Sequence, residues 1–251
     1  MNYNPFSLSG KTILVTGASS GIGRSIAVEC SKMGACVVIT GRNEERLAET
    51  QSMLFGDGHI SISADIAEEQ QVESLVEQLP VLDGVVHCAG VGVRKPAQAI
   101  KKSDIDFVFA PNVIAPILLQ KHLLKKKRIA KSASIVFIAS RAPFAPAVGN
   151  AVYSASKGAI IGYAKTLGLE LAPKQIRVNC ICPAMVWTDL IRRDAETIGE
   201  SFAEAEARYP LKRFGQPEDV AYLSIYLLSD ASQWMTGSCI DITGGGELTL
   251  V

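Results

Sequence analysis

Short β-rich apolar runs alternate with longer stretches of helical periodicity along the chain, and this alternation restricts the fold more than any other property of the sequence. Thr12–Thr16 (TILVT) is strand-like, and Gly21–Met33 then places Ile22, Ile26, Ala27, Cys30 and Met33 at helical spacing. Cys36–Thr40, His59–Ala64, Val85–Cys88, Ser134–Ala139, Ile176–Ile181 and Cys239–Ile242 read as further strands. Between them Glu44–Leu54, Glu68–Leu79, Ser103–Phe109, Val113–Arg128, Val152–Ala172 and Pro217–Ser229 read as helices, and Thr188–Arg208 is polar and helix-prone. Strands that alternate with helices predict βαβ units, hence an α/β fold with a single doubly wound parallel sheet of about seven strands and helices on both faces. No repeat or linker interrupts the pattern, so residues 1–251 are expected to form one domain.

Composition removes several function classes. The 251 residues carry 25 Lys+Arg against 25 Asp+Glu, and 48% are hydrophobic, which excludes a disordered chain. Zero formal net charge argues against a general nucleic-acid binder and against retention on anionic membranes by bulk charge. The N-terminus MNYNPFSLSGKT has neither a basic n-region nor an apolar h-region, and no apolar run reaches the ~20 residues of a membrane span, so a cytoplasmic protein is expected. The six cysteines (Cys30, Cys36, Cys88, Cys180, Cys182, Cys239) form no Cys-x-x-Cys and read as free thiols of a reducing compartment. Cys180 and Cys182 would share one face of a strand, but without nearby His or Asp ligands. The three histidines are scattered, and no metal site is expected. Lys125-Lys126-Lys127-Arg128 reads as a solvated helix C-terminus, with a nucleic-acid or membrane patch as the alternative.

In an open parallel sheet, ligands bind beyond the carboxyl ends of the strands, at the switch point in strand order. The residues just past each predicted strand should therefore be chemical. Thr16-Gly17-Ala18-Ser19-Ser20-Gly21-Ile22-Gly23 follows the first strand, with glycines at G-x-x-x-G-x-G. Such glycines allow a tight turn and close backbone approach to a pyrophosphate, and the following helix N-terminus offers free N–H groups. After the second strand stands Gly41-Arg42-Asn43 with no acidic residue. An Asp or Glu there would accept from a ribose 2′-hydroxyl, whereas Arg favours a 2′-phosphate. Arg42 therefore predicts NADP(H) over NAD(H).

Tyr153 and Lys157 lie four residues apart near the start of the longest predicted helix, on one face, and the stripe continues through Ile160, Ala164, Gly168 and Leu171. A lysine on an inward stripe is costly unless it is paired or used. An ammonium beside a phenol favours the phenolate, which makes a proton donor and acceptor. Ser140, past the fifth strand, could donate to a carbonyl oxygen. Together the three residues would polarise and protonate a carbonyl while a nicotinamide delivers hydride.

With these motifs the chain resembles a short-chain dehydrogenase/reductase over nearly its full length. The match rests on Thr16–Gly23, on Tyr153-Ser154-Ala155-Ser156-Lys157 with the upstream Ser140, on Arg177-Val178-Asn179 leading into Pro183, and on the glycines near the C-terminus. The resemblance implies a Rossmann-like sheet, with Tyr153 as acid/base, Lys157 lowering its pKa and holding the nicotinamide ribose, Ser140 positioning substrate, and Asn112 holding a relay water. It also implies that Gly17, Ser19, Ser20, Gly21, Ile22 and Gly23 cradle the pyrophosphate and that Asp65 and Ile66 meet the adenine. Ala89 and Gly90 would approach the adenosine ribose, and Pro183, Val186 and Thr188 would approach the nicotinamide. Three departures stand out: His87-Cys88 where the family commonly has Asn-Asn, Pro183-Ala184 for Pro-Gly, and Arg141 for a serine. A homo-oligomer, dimer or tetramer, follows from the family. A carbonyl or alcohol substrate is expected among Arg94, Arg141, Phe144, Met185, Trp187, Leu190 and the 194–208 segment, with Phe144, Met185 and Trp187 as an apolar wall. Arg94, Arg141, Arg192 and Arg193 would hold an anionic tail or remain solvated. 3-Oxoacyl thioesters, steroids, sugars and small ketones all stay open. The alternatives are an NAD-linked secondary-alcohol dehydrogenase of the same family and a catalytically silent nucleotide-binding regulator.

Overall fold

The structure, a computed structural model, describes residues 3–188, 191 and 202–246. Seven strands form one parallel sheet: β1 (Thr12–Thr16), β2 (Cys36–Gly41), β3 (Ile60–Ser63), β4 (Leu82–His87), β5 (Ile129–Ile138), β6 (Arg177–Pro183) and β7 (Cys239–Ile242). Their spatial order is β3-β2-β1-β4-β5-β6-β7, so the order reverses between β1 and β4. The described helices are α1 (Gly21–Lys32), α2 (Glu44–Ser52), α3 (Glu69–Gln78), α4 (Lys102–Phe109), α5 (Ala115–Lys125), α6 (Ala151–Leu171), α7 (Phe202–Arg208) and α8 (Pro217–Leu228).

The strands are near-continuous apolar runs because both faces of a parallel sheet are covered. Side chains alternate between two layers. Leu14, Val38, Val85, Ile135 and Val178 pack with Val72 of α3, Leu119 of α5 and Ile160 of α6. Ile13, Val37, Val86, Val136 and Ile181 face the other way, onto Ile26 of α1 and Val220 and Leu228 of α8. Buried β-branched residues fit such a two-sided surface.

Three expectations change. Ser103–Phe109 and Val113–Arg128 read as separate helices, but α4 runs into α5 through a π-turn, Ala110–Ile114, in which Ala115 N bonds Ala110 O. Pro111 has no N–H for an ordinary helical bond, and the wider turn absorbs the fault. The joined run Lys102–Lys125 is long and apolar enough to cross a membrane by length and composition, which the sequence reading did not anticipate. Its Ala115, Leu119 and Leu123 are core residues. β5 begins five residues before the expected Ser134, and its pairing with β4 shifts register between Leu82 and Gly84. The cationic run closes α5: Lys126 pairs with Glu77 at 3.3 Å, and Arg128 donates to Glu77 O at 3.0 Å.

Candidate active site

At the switch point Thr16, buried at the end of β1, accepts from Cys88 N at 3.1 Å and Ala89 N at 3.2 Å. This hydroxyl braces β4 against β1 where Cys88 lacks a side-chain amide, a role the sequence reading missed. The chain then turns at Gly17 (φ +67°), where an added Cβ would lie 2.7 Å from Ala89 Cα. A Cβ on Gly23 would collide with the carbonyl of Gly17. Both positions therefore require glycine. The N-cap of α1, Ser20, makes no side-chain cap, and the first turn carries no acidic residue. Its N–H groups and positive dipole end are left for an anion.

Past β2, Asn43 caps α2 by accepting from Arg46 N at 2.8 Å. The Arg42 side chain is 66% exposed, with its guanidinium 3.8 Å from Asp65 Oδ2, beyond hydrogen-bond distance. Asp65 Oδ1 accepts from Ala67 N at 3.0 Å. Ile66 is buried and sits in the core layer beneath.

The polar centre lies where β5, α6 and the π-turn meet. Lys157 is 6% exposed, and its Nζ donates to Ile138 O at 2.8 Å. That bond is why an inward ammonium is tolerated. Tyr153 lies one helical turn earlier, its ring centroid 5.7 Å from Lys157 Nζ. Ser140 Oγ accepts from Ala142 N at 3.0 Å, and Ser154 Oγ donates to Ala142 O at 3.1 Å, so the Ser140 turn is tied to α6. Asn112, 3% exposed in the π-turn, donates to Val91 O at 2.9 Å and Ser156 Oγ at 3.0 Å and accepts from Val91 N at 2.8 Å. Its amide ties the segment following Gly90 to α6.

One cavity of about 510 Å³ collects these residues. Its walls contain Gly17, Ser19, Ser20, Gly21, Ile22 and Gly23 on one side, Arg42, Asp65, Ile66, Ala89 and Gly90 on the next, and Ser140, Tyr153, Lys157, Pro183, Val186 and Thr188 opposite. An added Cβ on Gly21 would lie 3.2 Å from Thr188 Cγ2, which measures how closely the two sides face each other. Asn112 stands behind the wall. The sequence reading missed Arg46, Val91, Gly92, Phe107, Pro111 and Ile191 in the lining. Phe107 and Pro111 reach the cavity through the π-turn, which no periodicity marks.

None of the expected substrate-wall residues that the structure describes lines this cavity. Phe144, Met185 and Trp187 do not line this cavity, and neither do Arg94 and Arg141. Trp187 packs on Phe214 at 5.3 Å and donates Nε1–H to Glu206 Oε1 at 2.8 Å. Arg141 binds Asp241 at 2.8 Å, with its guanidinium 5.0 Å from the Phe144 ring. Leu190, Arg192, Arg193 and residues 194–201 lie outside the described residues. The scattered histidines also need correcting. His122 meets Glu69 at 3.2 Å and Glu73 at 3.7 Å, and the ligand-type atoms of the three lie within 4.8 Å of one another. Lys121 on Glu69, at 3.0 Å, makes this an ion-pair network. His87 stacks on Phe137 at 4.5 Å and pairs with Gln120, and burial pushes its pKa down to about 4. The departing motif residue Cys88 is likewise held as a thiol, burial pushing it up to about 12.

A doubly wound sheet with a glycine turn at its switch point and a Ser–Tyr–Lys group facing that turn defines a nicotinamide-type oxidoreductase site. Comparison with known proteins gives the family. Residues 17–247 match the family model described as enoyl-(acyl carrier protein) reductase. A 3-oxoacyl-[acyl-carrier-protein] reductase of Rickettsia felis is 34% identical, over 95% of this chain and 97% of the relative. A glucose/ribitol dehydrogenase-type structure from Brucella melitensis superimposes with a TM-score of 0.89 at 31% identity, covering 96% of this chain and 98% of that one. A gluconate 5-dehydrogenase-type structure from Beutenbergia cavernae, with bound NADP, gives a TM-score of 0.87 at 32% identity, covering 97% of this chain and 99% of that one. The chain belongs to the short-chain dehydrogenase/reductase family, whose members use an NAD(P) nucleotide.

Proposed function

We propose that the chain is an NADP(H)-dependent carbonyl reductase and alcohol dehydrogenase with Tyr153 as general acid/base. The observation that carries this reading is the convergence of Ser140, Tyr153 and Lys157 with the glycine loop on one cavity. The uncapped α1 N-terminus and the glycine turn, which leaves no room for a Cβ, fit a pyrophosphate. Bound nicotinamide supplies the hydride in reduction and receives it in oxidation.

The chain's own residues supply the rest. Ser140 donates its hydroxyl proton to the substrate carbonyl oxygen while Ala142 N fixes its orientation. Tyr153 gives its proton to that oxygen as charge develops, and takes it back when an alcohol is oxidised. Lys157, anchored on Ile138 O, keeps further N–H groups for the nicotinamide ribose. Asn112 joins it in holding a relay water and keeps the wall behind them in place. Arg42, exposed and loosely paired, holds the 2′-phosphate. Asp65 accepts from the adenine amino group and Ile66 packs beside it. Ala89 and Gly90 border the ribose, and Pro183, Val186 and Thr188 border the carboxamide.

The substrate is a small-molecule carbonyl or secondary alcohol. Val91, Gly92, Phe107, Pro111 and Ile191 add apolar surface to the cavity lining, with Gly92 against the Tyr153 ring. Exposed Ile105, Phe107 and Ile114 on the α4–α5 run support a homo-oligomer, dimer or tetramer, which light scattering would read. Six free cysteines fit a cytoplasmic protein, which fractionation would check.

The test is hydride transfer over a panel of carbonyls with NADPH and NADH, wild type beside Tyr153→Phe. NADPH-linked turnover that disappears in Tyr153→Phe is expected. Nucleotide binding without turnover on any carbonyl leaves a silent regulator, and turnover that survives in Tyr153→Phe overturns the acid/base assignment.

A further inference from the structure

Three thiols that the reaction does not use meet at the outer edge of the sheet. The β6–β7 register sets Cys180 directly opposite Cys239, and Cys182 follows two residues on, on the same face. All three point into the layer beneath α6, where Cys180 and Cys182 are fully buried and Cys239 is half-buried at the rim. Cys239 faces the Cys180 thiol across the ladder and has Cys182 and Lys165 of α6 nearby. These contacts pull Cys239 below the usual thiol range against burial and Asp241, while the same contact with Cys239, followed by burial, pushes Cys180 up. The cluster thus sets a half-buried thiol at the sheet edge directly opposite a fully buried one, the arrangement of an attacking and a resolving cysteine.

We propose that Cys239 is a hydroperoxide-reactive thiol and that Cys180 resolves it, so that the β6–β7 edge carries a reversible thiol–disulfide site. The Cys239 thiolate attacks the distal peroxide oxygen. The O–O bond breaks, a proton is taken up by the departing oxygen as alcohol or water, and Cys239 becomes a sulfenic acid. Cys180 sulfur then displaces hydroxide from Cys239, losing its own proton, and water leaves as the S–S bond forms. Two thiols have given two electrons to one hydroperoxide. Directly opposed residues on neighbouring strands lie about 4.8 Å apart at Cα, inside the roughly 4.4–6.8 Å range that a disulfide spans.

The experiment treats the reduced full-length protein with hydrogen peroxide and maps the products by non-reducing peptide mass spectrometry, with dimedone present in a parallel sample. A Cys180–Cys239 link that dithiothreitol removes is expected in wild type. Cys239→Ser should abolish it, and Cys180→Ser should replace it with a dimedone adduct on Cys239. Iodoacetamide at neutral pH should alkylate Cys239 at least about ten-fold faster than half-buried Cys36. Circular dichroism verifies that the serine variants are folded, and dimedone labelling of wild-type Cys239 reads the first step without any variant. Peroxide that leaves Cys239 reduced, or alkylation no faster than at Cys36, overturns the reactive-thiol assignment. A link from Cys239 to Cys182 overturns the assignment of Cys180.

Discussion

The half of the molecule around the cavity that is built on β1 to β4 and the half that follows β6 use different materials. In the first, backbone does the lining and hidden side chains brace it. Thr16 holds two N–H groups of the β4 exit, Asn43 caps α2, and Thr50 Oγ1 donates to Ala18 O at 2.9 Å beneath the glycine turn. In the second, side chains do the holding. Glu206 accepts from Trp187 Nε1 and from Phe214 N, at 2.8 and 3.0 Å, and the Tyr209 and Phe214 rings meet edge to face at 5.2 Å. A wall of backbone suits a ligand part that every relative shares. A packed group of side chains behind a site can be exchanged residue by residue, and the relatives' names carry different substrates.

This contrast can be broken at several points. Tyr153→Phe, at the boundary of the halves, should lower kcat by about 10²–10⁴-fold while nucleotide binding, read by fluorescence titration, stays within a few-fold. His87, behind the backbone-built half, resists protonation when folded and titrates near 6.5 when unfolded. The unfolded state therefore binds the extra proton, and stability should fall as pH drops from about 6.5 to about 4, by up to roughly 3 kcal/mol. Urea unfolding at both ends of that window, beside His87→Asn, reads the difference; an equal slope in the variant would remove His87 as the cause. Thr16→Val strips the acceptor from two N–H groups and should cost about 1–3 kcal/mol, with nucleotide affinity falling alongside the melting temperature. Arg42→Ala should shift kcat/KM from NADPH toward NADH by about ten-fold, since a charge-assisted bond of roughly 1.5–3 kcal/mol is weakened by exposure. Phe144→Ala, outside the cavity lining, should change kcat/KM by less than about two-fold.

The same contrast explains what was readable in the sequence. Gly17, Gly21 and Gly23 announced themselves because few other residues serve in a turn of that shape, and Tyr153 and Lys157 because helical spacing alone puts them on one face. Lys157 was recognisable as costly, but its anchor, Ile138 O, is a main-chain atom that leaves no trace in composition. Trp187 misled for the opposite reason: an aromatic near a site says nothing of where its ring points, and Phe214, 27 positions later, decides that. The Glu69–Glu73–His122 network joins α3 to α5 only through tertiary packing. Pro111 falls between the two helices read from the sequence, and there the chain makes a wider turn rather than an end.

That wider turn has a consequence for helix phase. Each residue of an α-helix advances the face by about 100°, so one extra residue in the turn rotates everything after it relative to everything before. α4 can thereby present Phe107 to the cavity rim while α5 presents Ala115, Leu119 and Leu123 to the core. Removing a single residue between Ala110 and Ile114 would leave the composition of the run almost unchanged. It would also put α4 and α5 out of register with their two tasks, so that only one of them could be satisfied at a time.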